Sequence, residues 1–158
     1  MEDYLLSGEN IIETKGANFL LRYKEHCLQR FGEDMGTKLL GLHEKESIGG
    51  RLYLTNFRLF FQSHKINRFN GTLSVFLPNI TEMKDNSGLI TKIMEVVTSG
   101  YSFEFIVWGI PKLMIEIAAA QSSLSPAQTE DLRIAVSNSP EKCGDGFKVF
   151  PPELIARF

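Results

Sequence analysis

Apolar and polar positions alternate most strictly in two runs, 51–55 and 58–62, which meet at the polar step Thr55-Asn56. Period-two alternation on both sides of a polar pair predicts a β-hairpin. Leu52 and Leu54 then face one side of the sheet and Tyr53 and Thr55 the other, while Leu59 and Phe61 oppose Phe60 and Gln62 on the return strand. A lone hairpin with so much Leu and Phe is not stable in water, so further short antiparallel strands are expected beside it.

The rest of the chain supplies them. Residues 5–12 lead into an extended run through 18–23, with a turn or bulge expected at Lys15-Gly16. From Lys24 to Gly49 the alternation stops; Cys27, Leu28 and Phe31 have helical spacing, and four glycines punctuate residues 32–49. This stretch is a long connection, and loops of that length are common places for a ligand or partner to bind. A polar basic loop, 64–71, ends in the turn pair Asn70-Gly71. Strands are then expected at 72–77 and 80–84 with a bend at Pro78, and at 89–98 and 101–107 as a second hairpin. Residues 112–117 read as a last strand. Ser125-Pro126-Ala127-Gln128 has the signature of a helix start: a capping serine, proline at the first position and Gln three residues after the cap. Leu132, Ala135 and Val136 give that helix one apolar stripe, so it must lie on something. Residues 138–158 read as an extension beyond a domain of residues 1–137.

Composition narrows the class. With 158 residues, of which 43% are hydrophobic, the chain fits one domain with a sizeable core. The net charge of -2 removes any global attraction to nucleic acid or anionic lipid, so no nucleic-acid partner is expected and any anion site must be local. The two cysteines, Cys27 and Cys143, have no zinc-ligand spacing and read as reduced thiols of a cytoplasmic protein. The acidic start has no secretion-signal pattern, and no apolar run approaches the ~20 residues needed to cross a bilayer.

The string G-R-L-Y-L-T-N-F-R-L-F-F over residues 50–61 resembles the central hairpin of GRAM domains, the pleckstrin-homology-like (PH-like) modules found in myotubularins, and is similar to the PH-like subunit of the ciliary BBSome. The resemblance covers roughly residues 5–137. It implies a mainly β fold, a bent antiparallel sandwich of about seven strands capped by a C-terminal helix. It also implies that Asn56 and Arg58 are structural and fix the hairpin turn.

Catalysis finds little support. His26-Cys27 resembles the start of a phosphatase loop, but Glu33 occupies the position that needs Arg, and Val149 fails Cys143 in the same way; a carboxylate there would repel a phosphate. No Gly-rich nucleotide loop is present, and His26, His43 and His64 lie far apart in polar stretches. Neither a cofactor nor a metal is expected. What the resemblance implies instead is binding, either to a phosphoinositide membrane or to a protein. Lipid-binding relatives grip phosphates with Lys and Arg from loops at the open end of the sandwich, which makes Lys15, Arg22, Lys24, Lys65 and Arg68 the candidates. Glu25, Glu33, Asp34, Glu44 and Glu46 crowd the first three in sequence, and the alternative is a solvated rim. The other reading is a protein-interaction scaffold, docking a partner on a sheet edge or on the 24–49 loop. Trp108 and Phe105 are expected on opposite faces of one strand, which makes the pair core and rim rather than a membrane wedge.

Overall fold

A computed structural model describes residues 2–22, 45–67, 69–143 and 146–149. Strands β1 (Ile11–Arg22), β2 (Lys45–Thr55), β3 (Arg58–Ser63), β4 (Phe69–Phe76), β5 (Ile80–Asp85), β6 (Ile93–Thr98) and β7 (Ser102–Val107) are followed by helices α1 (Ile110–Ser123) and α2 (Pro126–Asn138) and a short strand β8 (Gly146–Val149). All pairings are antiparallel, in the order β5-β6-β7-β1-β2-β3-β4-β8. Inward side chains from β1 to β7 meet in one core that α1 closes with Ile110, Leu113, Ile117 and Ala120. For strands this far apart in the sheet to share one core, the sheet must curl, and curled β1–β7 plus a following helix is the PH-like architecture the sequence predicts.

Alternation sets the register. Leu52 pairs with Phe61 and Leu54 with Leu59 on the inner face, while Tyr53 pairs with Phe60 outside. Phe19, Phe61 and Phe105 stack at the centre with ring centroids 5.5, 5.9 and 6.1 Å apart, tilted pairs that add about 0.5–1.5 kcal/mol each beyond their burial. A smaller second core lies on the outer side of the hairpin, where Leu6, Phe57, Leu132 and Ala135 bring the N-terminal segment and α2 together.

Several expectations need correction. Residues 112–117 are not a strand but the middle of α1, because Ile110, Leu113, Ile117 and Ala120 are buried at spacings of three and four. Pro111 stands in its first turn behind Gly109, whose φ of 73° lets the chain swing from β7 into the helix. β1 runs straight through Gly16; its irregularity falls between Ile11 and Glu13. Residues 89–92 form a loop, and β6 starts only at Ile93. The bend at Pro78 is a single 3-10 turn, Leu77–Asn79. Of the connection read over 24–49, residues up to 44 lie outside the described residues and 45–49 open β2. In the stretch 138–158, the turn Pro140–Cys143 packs on the second core through Cys143, and β8 pairs with Phe69 to Thr72 of β4.

The capping signature at Ser125 is present in full: its Oγ accepts from Gln128 N at 3.2 Å, and Gln128 Oε1 accepts from Ser125 N at 3.0 Å. Ser125→Ala is expected to cost about 1 kcal/mol, because it removes the side-chain acceptor for an orphan helix N–H. Urea denaturation reads this directly, and a loss under ~0.3 kcal/mol would mean that water replaces the cap.

Candidate functional site

The Thr55-Asn56-x-Arg58 string folds into a polar hub. Arg58 and Glu9 are both fully buried, and their pair is two-pronged: Nε donates to Oε1 and Nη2 to Oε2, each at 2.9 Å. The three remaining guanidinium hydrogens go to the Tyr4 carbonyl, to Ser74 Oγ at 2.9 Å and to the Lys142 carbonyl at 2.8 Å. All five donors of the side chain are thereby used. Glu9 is as fully engaged, since Thr55 Oγ1 donates to Oε1 and Leu6 N to Oε2, both at 2.8 Å. Asn56 accepts from Asn10 N at 2.7 Å and donates to the Gly8 carbonyl at 3.1 Å. One loop thus fastens the N-terminal segment, the hairpin, β4 and the 140–143 turn together. A buried, fully satisfied ion pair offers no free donor or acceptor to a substrate.

Of the five expected cations, only Lys15 and Lys65 have described side chains. Lys24 and Arg68 lie outside the described residues, and Arg22 is placed by its backbone alone, opposite Lys45. Lys15 shares the inner face of β1 with Ala17 and Phe19, and its Nζ reaches to 3.8 Å from where a Cβ on Gly109 would stand. Lys65 is exposed on a loop that folds against Gly49, with His64 N donating to the Gly49 carbonyl at 3.0 Å and Asn67 Nδ2 to the same carbonyl at 2.5 Å. Gly49 is the partner of Asn18 and Leu52 the partner of Lys15. Lys15 thus stands on β1 opposite Leu52, three positions along β2 from the glycine on which the Lys65 loop folds. Ile66, beside Lys65, is also exposed.

Lys15 instead joins a rim that the sequence did not single out. In the β5–β6 loop, Gly88 N donates to the Thr91 carbonyl at 2.9 Å, which leaves Leu89 and Ile90 at the tip. Leu89 is fully exposed and Ile90 81% exposed. Val107 N donates to the Lys92 carbonyl at 3.1 Å, so Trp108 follows at the root of the same loop, 73% exposed. Residues 86–94 and 105–115 contain Lys92 and Lys112 but no acid. Of the acids that flank these stretches, Asp85 stays charged, held below the usual carboxylate range by two hydrogen bonds from Ser87 and, less strongly, by Lys92, and Glu116 pairs with Lys112 at 3.3 Å. Among the described residues neither Lys15 nor Lys92 enters an ion pair. The rim thus presents three large apolar side chains among lysines. The signal was in the sequence, as an apolar pair directly after the turn Asn86-Ser87-Gly88, but Leu89-Ile90 also begins a β-branched run and reads as a strand.

Little else invites chemistry. Cys143 is half-buried, and burial pushes its thiol above the ordinary value, which makes it a poorer nucleophile. His64 is exposed, whereas Cys27, His26 and His43 lie outside the described residues. Among the described residues no three His, Cys, Asp or Glu side chains cluster to hold a metal, and no helix is long and apolar enough to cross a membrane. Of the sheet edges, β5 carries an exposed Glu82–Lys84 ion pair at 3.0 Å, a charge pattern that discourages strand addition, and β8 covers part of β4.

Neither protein-family models nor curated proteins match this chain. Solved structures do. The crystal structure of the C-terminal domain of an unknown protein from Leishmania infantum is similar at a TM-score of 0.50 and 12% identity, over 74% of this chain and 88% of that one. The N-terminal PH domain of Vps36 is similar at a TM-score of 0.46 and 13% identity, over 75% and 83%. At these identities the first likeness speaks to fold alone.

Proposed function

We propose that this chain is a non-catalytic PH-like module that docks peripherally on anionic membrane surfaces. The observation that carries the reading is the rim of Leu89, Ile90 and Trp108 with Lys15 and Lys92, neither in an ion pair, beside it. Apolar side chains held at a loop tip gain by entering the headgroup boundary, and each cation near an anionic leaflet adds about 1 kcal/mol. The likeness of residues 50–61 to GRAM domains accords with such a role. A cytoplasmic leaflet, rich in anionic lipid, is the surface this chemistry fits.

Co-sedimentation with phosphatidylcholine vesicles, with and without phosphatidylserine or a phosphoinositide, tests it. Wild type should bind the anionic vesicles and leave the neutral ones. A Leu89→Ser, Ile90→Ser double variant should lose at least about tenfold in affinity at unchanged melting temperature, since 1.4 kcal/mol is a factor of ten and both side chains stand in solvent. Salt should weaken binding without abolishing it, because only the charged part is screened. A Lys65→Glu, Ile66→Ser variant should change affinity less than threefold. If that variant loses binding and the tip variant keeps it, the contact lies at the 64–68 loop; no binding to any anionic vesicle would refute the membrane reading.

A further inference from the structure

We infer that the outer edge of β4 takes an uncharged, extended segment of a partner protein by strand addition, in the cleft between Ser74–Phe76 and the β6–β7 turn. The main-chain bonds locate the edge. Leu77 N donates to the Phe57 carbonyl at 3.0 Å, one step beyond the Arg58–Phe76 pair, so Leu77, Val75 and Leu73 turn their main-chain groups toward β3. Alternation in an antiparallel ladder then sends those of Thr72, Ser74 and Phe76 outward. β8 uses this outward set lower on the strand, where Gly146 pairs with Thr72 and Lys148 with Asn70. A later segment of the chain is thus itself an added strand on this edge, and its pairing ends at Thr72. The Ser74 hydroxyl is engaged by Arg58 and the Cys143 carbonyl, but among the described residues no partner bonds to the Ser74 N–H or C=O or to the Phe76 N–H. Both residues are half-buried, and main-chain groups in such places are seldom left without a partner.

The surroundings of these groups select the occupant. Residues 74–76 line a cleft of about 350 Å3 whose other wall is the β6–β7 turn, 98–101, with Phe103 behind it. Tyr101 is 74% exposed, and its ring lies 6.4 Å from that of Phe103, which packs on the core. A tyrosine held against a packed ring and open to solvent is the kind of side chain enriched at protein interfaces. Among the described residues no charged side chain lines the cleft. A phosphate or a charged headgroup finds no counter-ion there, whereas an extended main chain finds donors and an acceptor at strand spacing and aromatic ground for its alternate side chains.

The cleft is also remote from the membrane rim. The 86–92 tip precedes β6 and the 98–101 turn follows it, so at about 3.3 Å per residue the six residues of β6 hold the two ~17 Å apart. A peptide in the cleft and a bilayer at the tip can therefore be bound together, and the inference does not rest on the membrane reading.

The experiment selects binders of the whole chain from a random dodecapeptide library and measures the synthetic selected peptides by fluorescence anisotropy. Tyr101→Ala and Gly100→Glu should each weaken a selected peptide about tenfold or more at unchanged melting temperature, since Tyr101 stands in solvent and a Cβ on Gly100 meets no atom within 4 Å. Methylating the peptide amides one at a time should weaken binding at alternate positions only, the mark of ladder pairing, and amide exchange at Ser74 and Phe76 should slow in the complex. The Leu89→Ser, Ile90→Ser variant should bind the peptide as wild type does. A library that returns no binder, or only binders indifferent to Gly100→Glu, overturns the inference. Binding that leaves exchange at Ser74 and Phe76 unchanged overturns it as well, because the edge is then not what the peptide pairs with. If Gly100→Glu abolishes binding to anionic vesicles, the cleft belongs to the membrane contact and the inference falls while the membrane reading stands.

Discussion

Replacing Arg58 by alanine is expected to remove about 3–5 kcal/mol of stability, a large part of what a domain of this size possesses. The reason is what stays behind. Glu9 would keep its charge in a site with no exposed surface, with only Thr55 Oγ1 and Leu6 N still donating to it. The carbonyls of Tyr4 and Lys142 would lose their donors together, which loosens the N-terminal segment and the 140–143 turn at once. Arg58→Lys should recover little, because an ammonium has three donors on a flexible stem where five in a planar fork are in use. A Glu9→Leu, Arg58→Met double variant is expected to lose less than either single charge deletion, since it leaves no buried charge unpaired. Urea unfolding of wild type, Glu9→Leu, Arg58→Met and the double variant decides the matter. Additive single losses, each under ~1 kcal/mol, would mean that water enters the hub and that the pair is not the clamp its burial indicates.

Placing this stability in a network spread over the chain has a consequence for the rim. The hub, the aromatic centre and the closing face of α1 fix β6, β7 and the start of α1, and Leu89, Ile90 and Trp108 project from them without contributing to the core. Side chains that cost nothing to the fold when replaced are those a binding surface can use, and this is why the rim variants are expected to bind poorly and melt normally.

Legibility tracks the range of each interaction. The central hairpin is readable because alternation is local and both of its strands obey it. The helix at Ser125 is readable because its cap lies within four residues. α1 is not: Lys112-Leu113-Met114-Ile115-Glu116-Ile117 alternates like a strand, and what identifies it as a helix is the burial spacing from Ile110 to Ala120 together with Pro111 in the first turn. Exposed Ile115 completes the apolar set 113, 115 and 117 and makes the stretch look like a strand, whereas a polar residue there would leave a period of 3.6. Glu9 leaves no local signal, since its partner stands 49 positions along the chain. Charge alone groups Lys15 with Lys65, whereas the β1–β2 register sets Lys15 opposite Leu52, three positions from the Gly49 on which the Lys65 loop folds. Alternation sets Trp108 on the face opposite Phe105, and the structure leaves it exposed while Phe105 is in the core.

The first residue of the hairpin string sets the last expectation. Gly50 pairs with Ser63, and a Cβ built on it would stand 2.3 Å from the Gln62 carbonyl oxygen and 2.5 and 2.8 Å from atoms of the Phe61 ring. Contacts below 3.0 Å are not tolerated by real side chains, so the strand or the ring must move. Neither moves freely: Phe61 is fully buried against Phe19 and Phe105, and the Gln62 backbone is held in the β3–β4 ladder. Overpacking in such a place costs about 1–3 kcal/mol, and Gly50→Ala should lie at or above the upper end because one of the clashes is with backbone. For a chain of this length that is a drop of roughly 6–12 °C in melting temperature. Gly50→Ala combined with Phe61→Leu should recover only part of it, since removing the ring leaves the carbonyl where it was. A melting temperature within 1 °C of wild type for Gly50→Ala would show that β2 and β3 part at this pair without resistance, and the close approach of Phe61 over Gly50 would then not be what fixes the hairpin register.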